Sequence, residues 1–309
     1  MKIRPMRKRK TESDIQRAAG RRKRRLKYIA VLPSFITLMN GACGFIAIVF
    51  ASRSQEFTWN FFFMRGSSMT SFALAGYMLV LALIADVLDG RVARLTRTTS
   101  SFGGQLDSLC DAVSFGVAPA FLMIKLVEFH LERLSFEYLR FSMLFERLIF
   151  FSAIFYAMCA VLRLARFNVE NDEDETAHMN FAGLPSPAAA GLVVSLVIFH
   201  QEIFPWFTGR TAETYRIFEI ITISAIPVIT LLTGILMVSR IRYPHLANQL
   251  LRSKKPLSSL LVIFASGIFI VWNIQLAMVV GFCGFALFGV FRWMTVSALG
   301  KRLPGTQTG

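Results

Sequence analysis

Acidic residues are scarce in this chain, and cysteine and histidine are scarcer still. Four cysteines and four histidines occur in 309 residues. Cys43, Cys110, Cys159 and Cys283 are scattered through apolar runs with no C-x-x-C pair. That excludes a disulfide framework or a thiolate metal knuckle and leaves small buried hydrophobes. His130, His178, His200 and His245 are equally dispersed, which argues against zinc. No internal repeat is evident, so the inverted halves of many transporters are missing. The apolar runs lack the period-2 alternation of a barrel. Asp and Glu number 19 against 34 Lys and Arg, for a formal net charge of +15. No folded basic module accompanies that charge, so nucleic acid is not an expected partner.

What the chain has in abundance is apolar mass. It is 54% hydrophobic and holds 30 Phe. The apolar residues gather into runs of about 18–25, long enough to cross a ~30 Å hydrocarbon core as helices. The pattern predicts spans over 29–51, 71–93, 107–128, 147–167, 184–207, 217–238, 257–273 and 275–293. Pro227 interrupts the sixth, which a membrane helix tolerates. The seventh and eighth are short and close, and read either as two crossings or as one re-entrant pair. The expected fold is an all-α polytopic transmembrane helical bundle of about eight spans, with six or seven as alternatives.

The first 28 residues hold thirteen Lys and Arg, with only Glu12 and Asp14 as acids. This segment is too long and too basic for a signal peptide. The positive-inside rule places the N-terminus in the cytoplasm. The loops after the second, fourth and sixth spans agree, carrying Arg91, Arg94 and Arg97, then Arg163 and Arg166, then Arg240, Arg242, Arg252, Lys254 and Lys255. The expected organisation is a basic cytoplasmic tail at 1–28, a membrane domain at 29–295 and a cytoplasmic C-terminal tail at 296–309. The basic tail either sets orientation or clamps anionic membrane lipids, at about 1 kcal/mol per Lys or Arg. Loops 52–70 and 129–146, rich in Phe and Arg, are expected to form interfacial helices. The acidic run Glu170–Glu175 lacks the Gly and ligand pattern of a calcium loop and reads as a solvated loop.

Against this background, four carboxylates stand out. Asp86 and Asp89 are three apart near the end of the second span, and Asp107 and Asp111 are four apart at the start of the third. Each pair shares a helix face. An aspartate at the centre of a membrane helix costs about 2.5–3.5 kcal/mol, so four in one hairpin need a reason. The connection at 95–106 is short, so the helices are neighbours and the carboxylates converge. Four clustered anions call for two hard divalent cations, Mg2+ or Mn2+, with coordination positions left for phosphates. Gly90 and Ala93 leave room for something flat beside the same face. Arg94 reaches toward the cavity, and a guanidinium suits phosphate rather than metal. Gly103 either turns the loop tightly or lets a ligand sit close. Acids for metals, an arginine for phosphate and small residues for a ring read together as a nucleotide diphosphate site. An ion-transport site is the rival reading of intramembrane carboxylates, and a fixed positive charge inside the cluster opposes it.

The whole pattern, Asp-x-x-Asp-Gly-x-x-Ala-Arg, eight residues, Gly-x-x-x-Asp-x-x-x-Asp, resembles the signature of the CDP-alcohol phosphotransferase family. Longer strings resemble the membrane-integral, serine-accepting branch of that family. They are Phe102–Pro119, Arg163–Val169, Gly183–Ala190, Leu236–Pro244 and the Pro33…Thr37…Asn40…Gly44 pattern of the first span. Ser34, after the proline, and Cys110 depart from the usual residues without touching a ligand position.

The resemblance implies transfer of a phosphatidyl group from CDP-diacylglycerol to the hydroxyl of L-serine, giving phosphatidylserine and CMP. It implies Asp86, Asp89, Asp107 and Asp111 as metal ligands, with Asp86 and Gly90 against the cytidine and ribose and Arg94 on the diphosphate. It points to Asp111 as the base for the serine hydroxyl. Arg163 and Arg166, three apart, are candidates for the serine carboxylate, with Ser108, Ser114 and Asn168 as neutral contacts. The same chemistry with glycerol 3-phosphate, inositol phosphate or choline remains open. A homodimer in a bacterial inner membrane, with the site facing the cytoplasm, is the associated expectation.

Overall fold

The computed structural model describes residues 34–53, 69–96, 101–133, 139–173, 183–203, 212–241, 243 and 273–298. The expected tail at 1–28, all but the last residue of the expected span at 257–273 and most of the 52–70 loop lie outside the described residues, as do residues 299–309.

The regular elements among the described residues are all helices. Helix α1 covers Ser34–Ala51 and α2 covers Ser71–Thr96. Helix α3, Ser101–Asp111, runs through a π-helical turn, Ala112–Val117, into α4, Ala118–Arg133. Helix α5 covers Leu139–Glu173. Helix α6, Ser186–Ile198, ends in a second π-helical segment, Phe199–Ile203. Helix α7 covers Ala212–Val238 and α8 covers Ile274–Ala298.

Six of these helical stretches are long and apolar enough to cross a membrane: Ser34–Ala51, Ser71–Val92, Phe102–Glu132, Met143–Val169, Glu219–Val238 and Ile274–Thr295. Phe35, Phe45, Ile84, Val87, Leu109, Phe151, Ile154, Leu232, Phe288 and Phe291 stand exposed on them. Large apolar side chains in that number on the outside mark a lipid-facing surface. The protein is an integral membrane protein. The expected fifth span is α6 with its π-helical extension. It packs against α2, α5, α7 and α8, and ten of its thirteen α-helical residues are buried, so it forms the bundle's centre.

Several boundaries differ from expectation. The third span begins six residues earlier, because Ser101–Leu106 is helical although its glycines and polar residues read as loop. Gly103 therefore lies in a helix and makes no tight turn. Residues 129–133 and 139–146, expected as an interfacial helix, extend α4 and α5. Glu170 to Glu173 close α5 rather than forming a loop. In each case a helix continues past the hydrocarbon thickness, since leaving the membrane does not itself break backbone hydrogen bonding.

Two backbone features hold the centre. Gly183 has φ +90, and a Cβ there would collide with the Met237 carbonyl. Its N–H donates to Ile241 O at 2.8 Å and the Leu184 N–H to Leu236 O at 3.0 Å, tying the start of α6 to the end of α7. The π-helical turn after Asp111 disturbs the regular backbone ladder. The hydroxyl of Tyr156, fully buried on α5, donates to Phe115 O at 2.9 Å within it. Widened turns of this kind recur at functional sites.

Candidate active site

Helix α2 has 26 residues and is about 39 Å long. That exceeds the hydrocarbon thickness, so Asp86 and Asp89 fall near the end where Arg91 projects outward. Asp107 and Asp111 fall near the start of the neighbouring long helix, which runs antiparallel. Asp86, Asp89 and Asp107 each present a carboxylate oxygen within 4.8 Å of the others. Asp89 and Asp111 are buried; Asp86 and Asp107 are half-buried. Asp111 stands one turn deeper and lies within Coulombic reach of the other three. The carboxylates predicted to converge do so, with three in the tight cluster and the fourth beside it.

Like charges this close repel strongly away from water. The donor set is all oxygen, which suits hard dications. Asp107 Oδ1 is buried with no hydrogen-bond partner, the kind of atom a cation would satisfy. The residues therefore fit the expected divalent ions.

Sequence reasoning gave no role to α1, which orients two of the carboxylates. Thr37 Oγ1 donates to Asp89 Oδ2 at 2.7 Å, and Asn40 Nδ2 donates to Asp111 Oδ1 at 2.8 Å. Both bonds are buried. Two glycines let α1 come this close. A Cβ on Gly41 would sit 2.9 Å from Cys110 Sγ, and one on Gly44 would sit 2.5 Å from Ser114 Oγ. Thr37, Asn40 and Gly44 recur at i, i+3 and i+7, so a single helix face was readable in the sequence. What that face touches was not.

The remaining predicted residues divide. Gly90 borders open space: a Cβ built there meets no atom within 4 Å. The side chains of Ala93 and Arg94 lie outside the described residues, although their backbone continues α2. Arg163 and Arg166 do not share one environment. Arg163 is half-buried, donates from Nη1 to Ser186 Oγ at 2.9 Å and lies within Coulombic reach of Asp111, whereas Arg166 is exposed. Three residues leave the second side chain about 60° around the helix from the first, enough at the edge of the buried face to carry the second arginine out of the interior. Ser114 is buried and donates to Asn40 O at 2.9 Å, so its hydroxyl braces α1. Asn168 Nδ2 donates to Ser108 Oγ at 2.9 Å, fastening α5 to the turn that carries Asp107.

The CDP-alcohol phosphatidyltransferase family model matches residues 30–241. A protein of Helicobacter pylori named CDP-diacylglycerol–serine O-phosphatidyltransferase is 33% identical over 264 residues, covering 85% of this chain and 91% of the relative. A protein of the same name from Methanocaldococcus jannaschii is 33% identical over 225 residues, 73% of this chain and 79% of the relative. One from Mycobacterium tuberculosis is 32% identical over 213 residues, 67% and 63% respectively. The family match spans α1 to α7, the same helices that gather the carboxylates and their donors. The chain belongs to the CDP-alcohol phosphatidyltransferase family.

Proposed function

We propose that this protein transfers the phosphatidyl group of CDP-diacylglycerol to the hydroxyl of L-serine, producing phosphatidylserine and CMP. The observation that carries this reading is the cluster of Asp86, Asp89 and Asp107, gathered from two helices inside a family-matched segment. The relatives' printed names support serine as the acceptor.

Asp86, Asp89, Asp107 and Asp111 would hold two divalent cations, Mg2+ or Mn2+. When bound, such ions offset the negative charge that builds on the departing CMP oxygen. Thr37 and Asn40 orient Asp89 and Asp111 for that task. Gly90, with Ala93 and Gly103, leaves space for the cytidine and ribose, and Arg94 binds the diphosphate. The serine hydroxyl oxygen attacks the phosphorus that carries the diacylglycerol. The bond from that phosphorus to the CMP oxygen breaks, and CMP leaves with the electron pair. Asp111 takes the hydroxyl proton. Arg163 pairs with the serine carboxylate, since its Nε is buried without a partner and the side chain lies near Asp111. Arg166, being exposed, is the weaker candidate. Asn168 acts through Ser108 and Ser114 through Asn40. The basic loops and tail support a site facing the cytoplasm of a bacterial inner membrane, and the family suggests a homodimer.

Purified protein given CDP-diacylglycerol, Mg2+ or Mn2+ and one alcohol at a time tests the reading. Serine-dependent CMP release supports it. Release with glycerol 3-phosphate, inositol phosphate or choline instead replaces the acceptor. No release with any alcohol rejects the transfer.

A further inference from the structure

The end of the bundle remote from the aspartates carries a second group of buried ligands. Tyr77, which marks that end on α2, stands twelve residues before Asp89, about 18 Å along the helix. His130 closes α4, His200 lies in the π-helical extension of α6, and Glu219 sits in the early turns of α7. Their exposures are 4%, 3% and 8%. His130 Nδ1 lies 2.8 Å from Glu219 Oε1. The two imidazoles meet edge to face with centroids 4.6 Å apart. The dispersion of histidine along the sequence argued against zinc, and the fold overturns that argument by bringing two of the four together.

Gln201 reveals how the imidazoles are aimed. Its Oε1 accepts from Thr70 Oγ1 at 2.9 Å, which assigns the amide orientation. Its Nε2 then lies 3.3 Å from His130 Nε2 and 3.2 Å from His200 Nδ1. An amide nitrogen only donates, so both ring nitrogens facing it are acceptors. His130 thus carries its proton on Nδ1, pointed at Glu219. In that tautomer His130 Nε2 faces Gln201; an ion shared with Glu219 would take Nδ1 instead, replacing the proton that lies between the two, and the half-buried Gln201 side chain would turn its amide to suit the new tautomer.

We propose that His130, His200 and Glu219 form a binding site for a borderline transition-metal dication of the zinc class, which staples α4, α6 and α7. Each residue offers one ligand atom, and these atoms lie within 4.8 Å of one another. In a tetrahedral zinc site with bonds of 2.0–2.2 Å the donors stand roughly 3.3–3.6 Å apart, so only a small contraction is required. Two imidazoles and a carboxylate are a known zinc donor set, distinct from the all-oxygen set that favours Mg2+. A carboxylate–histidine hydrogen bond alone calls for one imidazole. The second ring, perpendicular and equally buried, goes beyond that need. The Glu219 carboxylate accepts from His130 Nδ1 at 2.8 Å. A dication held there would take a carboxylate oxygen of Glu219 as its anionic ligand.

Untagged full-length protein in detergent, stripped by chelation and returned to excess Mg2+ to fill the aspartates, would receive one equivalent of Zn2+. The expected X-ray absorption spectrum has two imidazole nitrogens in the first zinc shell. Zinc should survive desalting at about one per chain and raise the melting temperature. His200→Gln should weaken zinc binding by at least ~10-fold. A shell of oxygen donors alone, or unchanged zinc affinity in folded His200→Gln protein, overturns the proposal. If that variant does not fold, the spectrum of the unaltered protein decides alone.

Discussion

Thr37 on α1 donates its hydroxyl to Asp89 on α2 across 2.7 Å, inside the bundle and 52 residues away in sequence. An oxygen that accepts from a fixed donor keeps its remaining lone pairs in a fixed direction. Thr37→Val keeps the side-chain shape and removes the donor. The expected outcome is a ~10–100-fold loss of metal affinity, the usual cost of losing a partner behind a ligand. It would be read as a higher Mn2+ concentration for half-maximal CMP release, with an unchanged melting temperature. Unchanged metal dependence would show that Asp89 needs no such guide.

Asp111→Asn removes the proposed base while keeping an oxygen that can accept from Asn40. CDP-diacylglycerol binding should persist, and CMP release should fall by about 10²–10⁴-fold. Binding measured with a non-turning-over analogue, alongside single-turnover CMP release, separates the two effects. Normal turnover in this variant would end the assignment.

Arg163→Ala should raise the serine KM by roughly tenfold or more, the worth of a charge-assisted hydrogen bond, with little change in the KM for CDP-diacylglycerol. Arg166→Ala, changing an exposed side chain, should leave the serine KM nearly unaltered. Steady-state kinetics with each substrate varied in turn tests both. An unaffected serine KM in Arg163→Ala rejects the pairing.

Gly183→Ala places a Cβ against the Met237 carbonyl at a backbone φ of +90. The strain alone costs about 1–3 kcal/mol, and the collision adds to it. A lower melting temperature in detergent is expected, since the junction of α6 and α7 must open to fit the methyl. Alanine at the neighbouring helical position Ser186 lacks this penalty, although it removes the acceptor of Arg163.

Much of the site was legible because its signals are local. Asp86 with Asp89, and Asp107 with Asp111, lie within one helical turn of each other, and a short connection made the two pairs neighbours. The run Ser101–Leu106 misled because Gly103 and Gly104 lower helix propensity and, with Gln105, hydropathy, while packing of the long helix overrides both. Arg163 and Arg166 misled because spacing of three brings Cβ atoms near without giving them one environment. On a helix half-facing lipid, a rotation of that size separates interior from surface.

The sequence by itself determined that this chain lives in a membrane, that its regular structure is helical and that a carboxylate cluster sits in one hairpin. Run length, charge asymmetry and the 3.6-residue period are properties of neighbouring residues and need no partner helix to read. Tertiary structure alone decided that Thr37 and Asn40 aim the carboxylates, that Arg163 turns inward and that His130 meets His200. Those relations join residues 23 to 71 apart in sequence. They depend on which helix faces meet and how closely glycines let the backbones approach, and no local period carries that information.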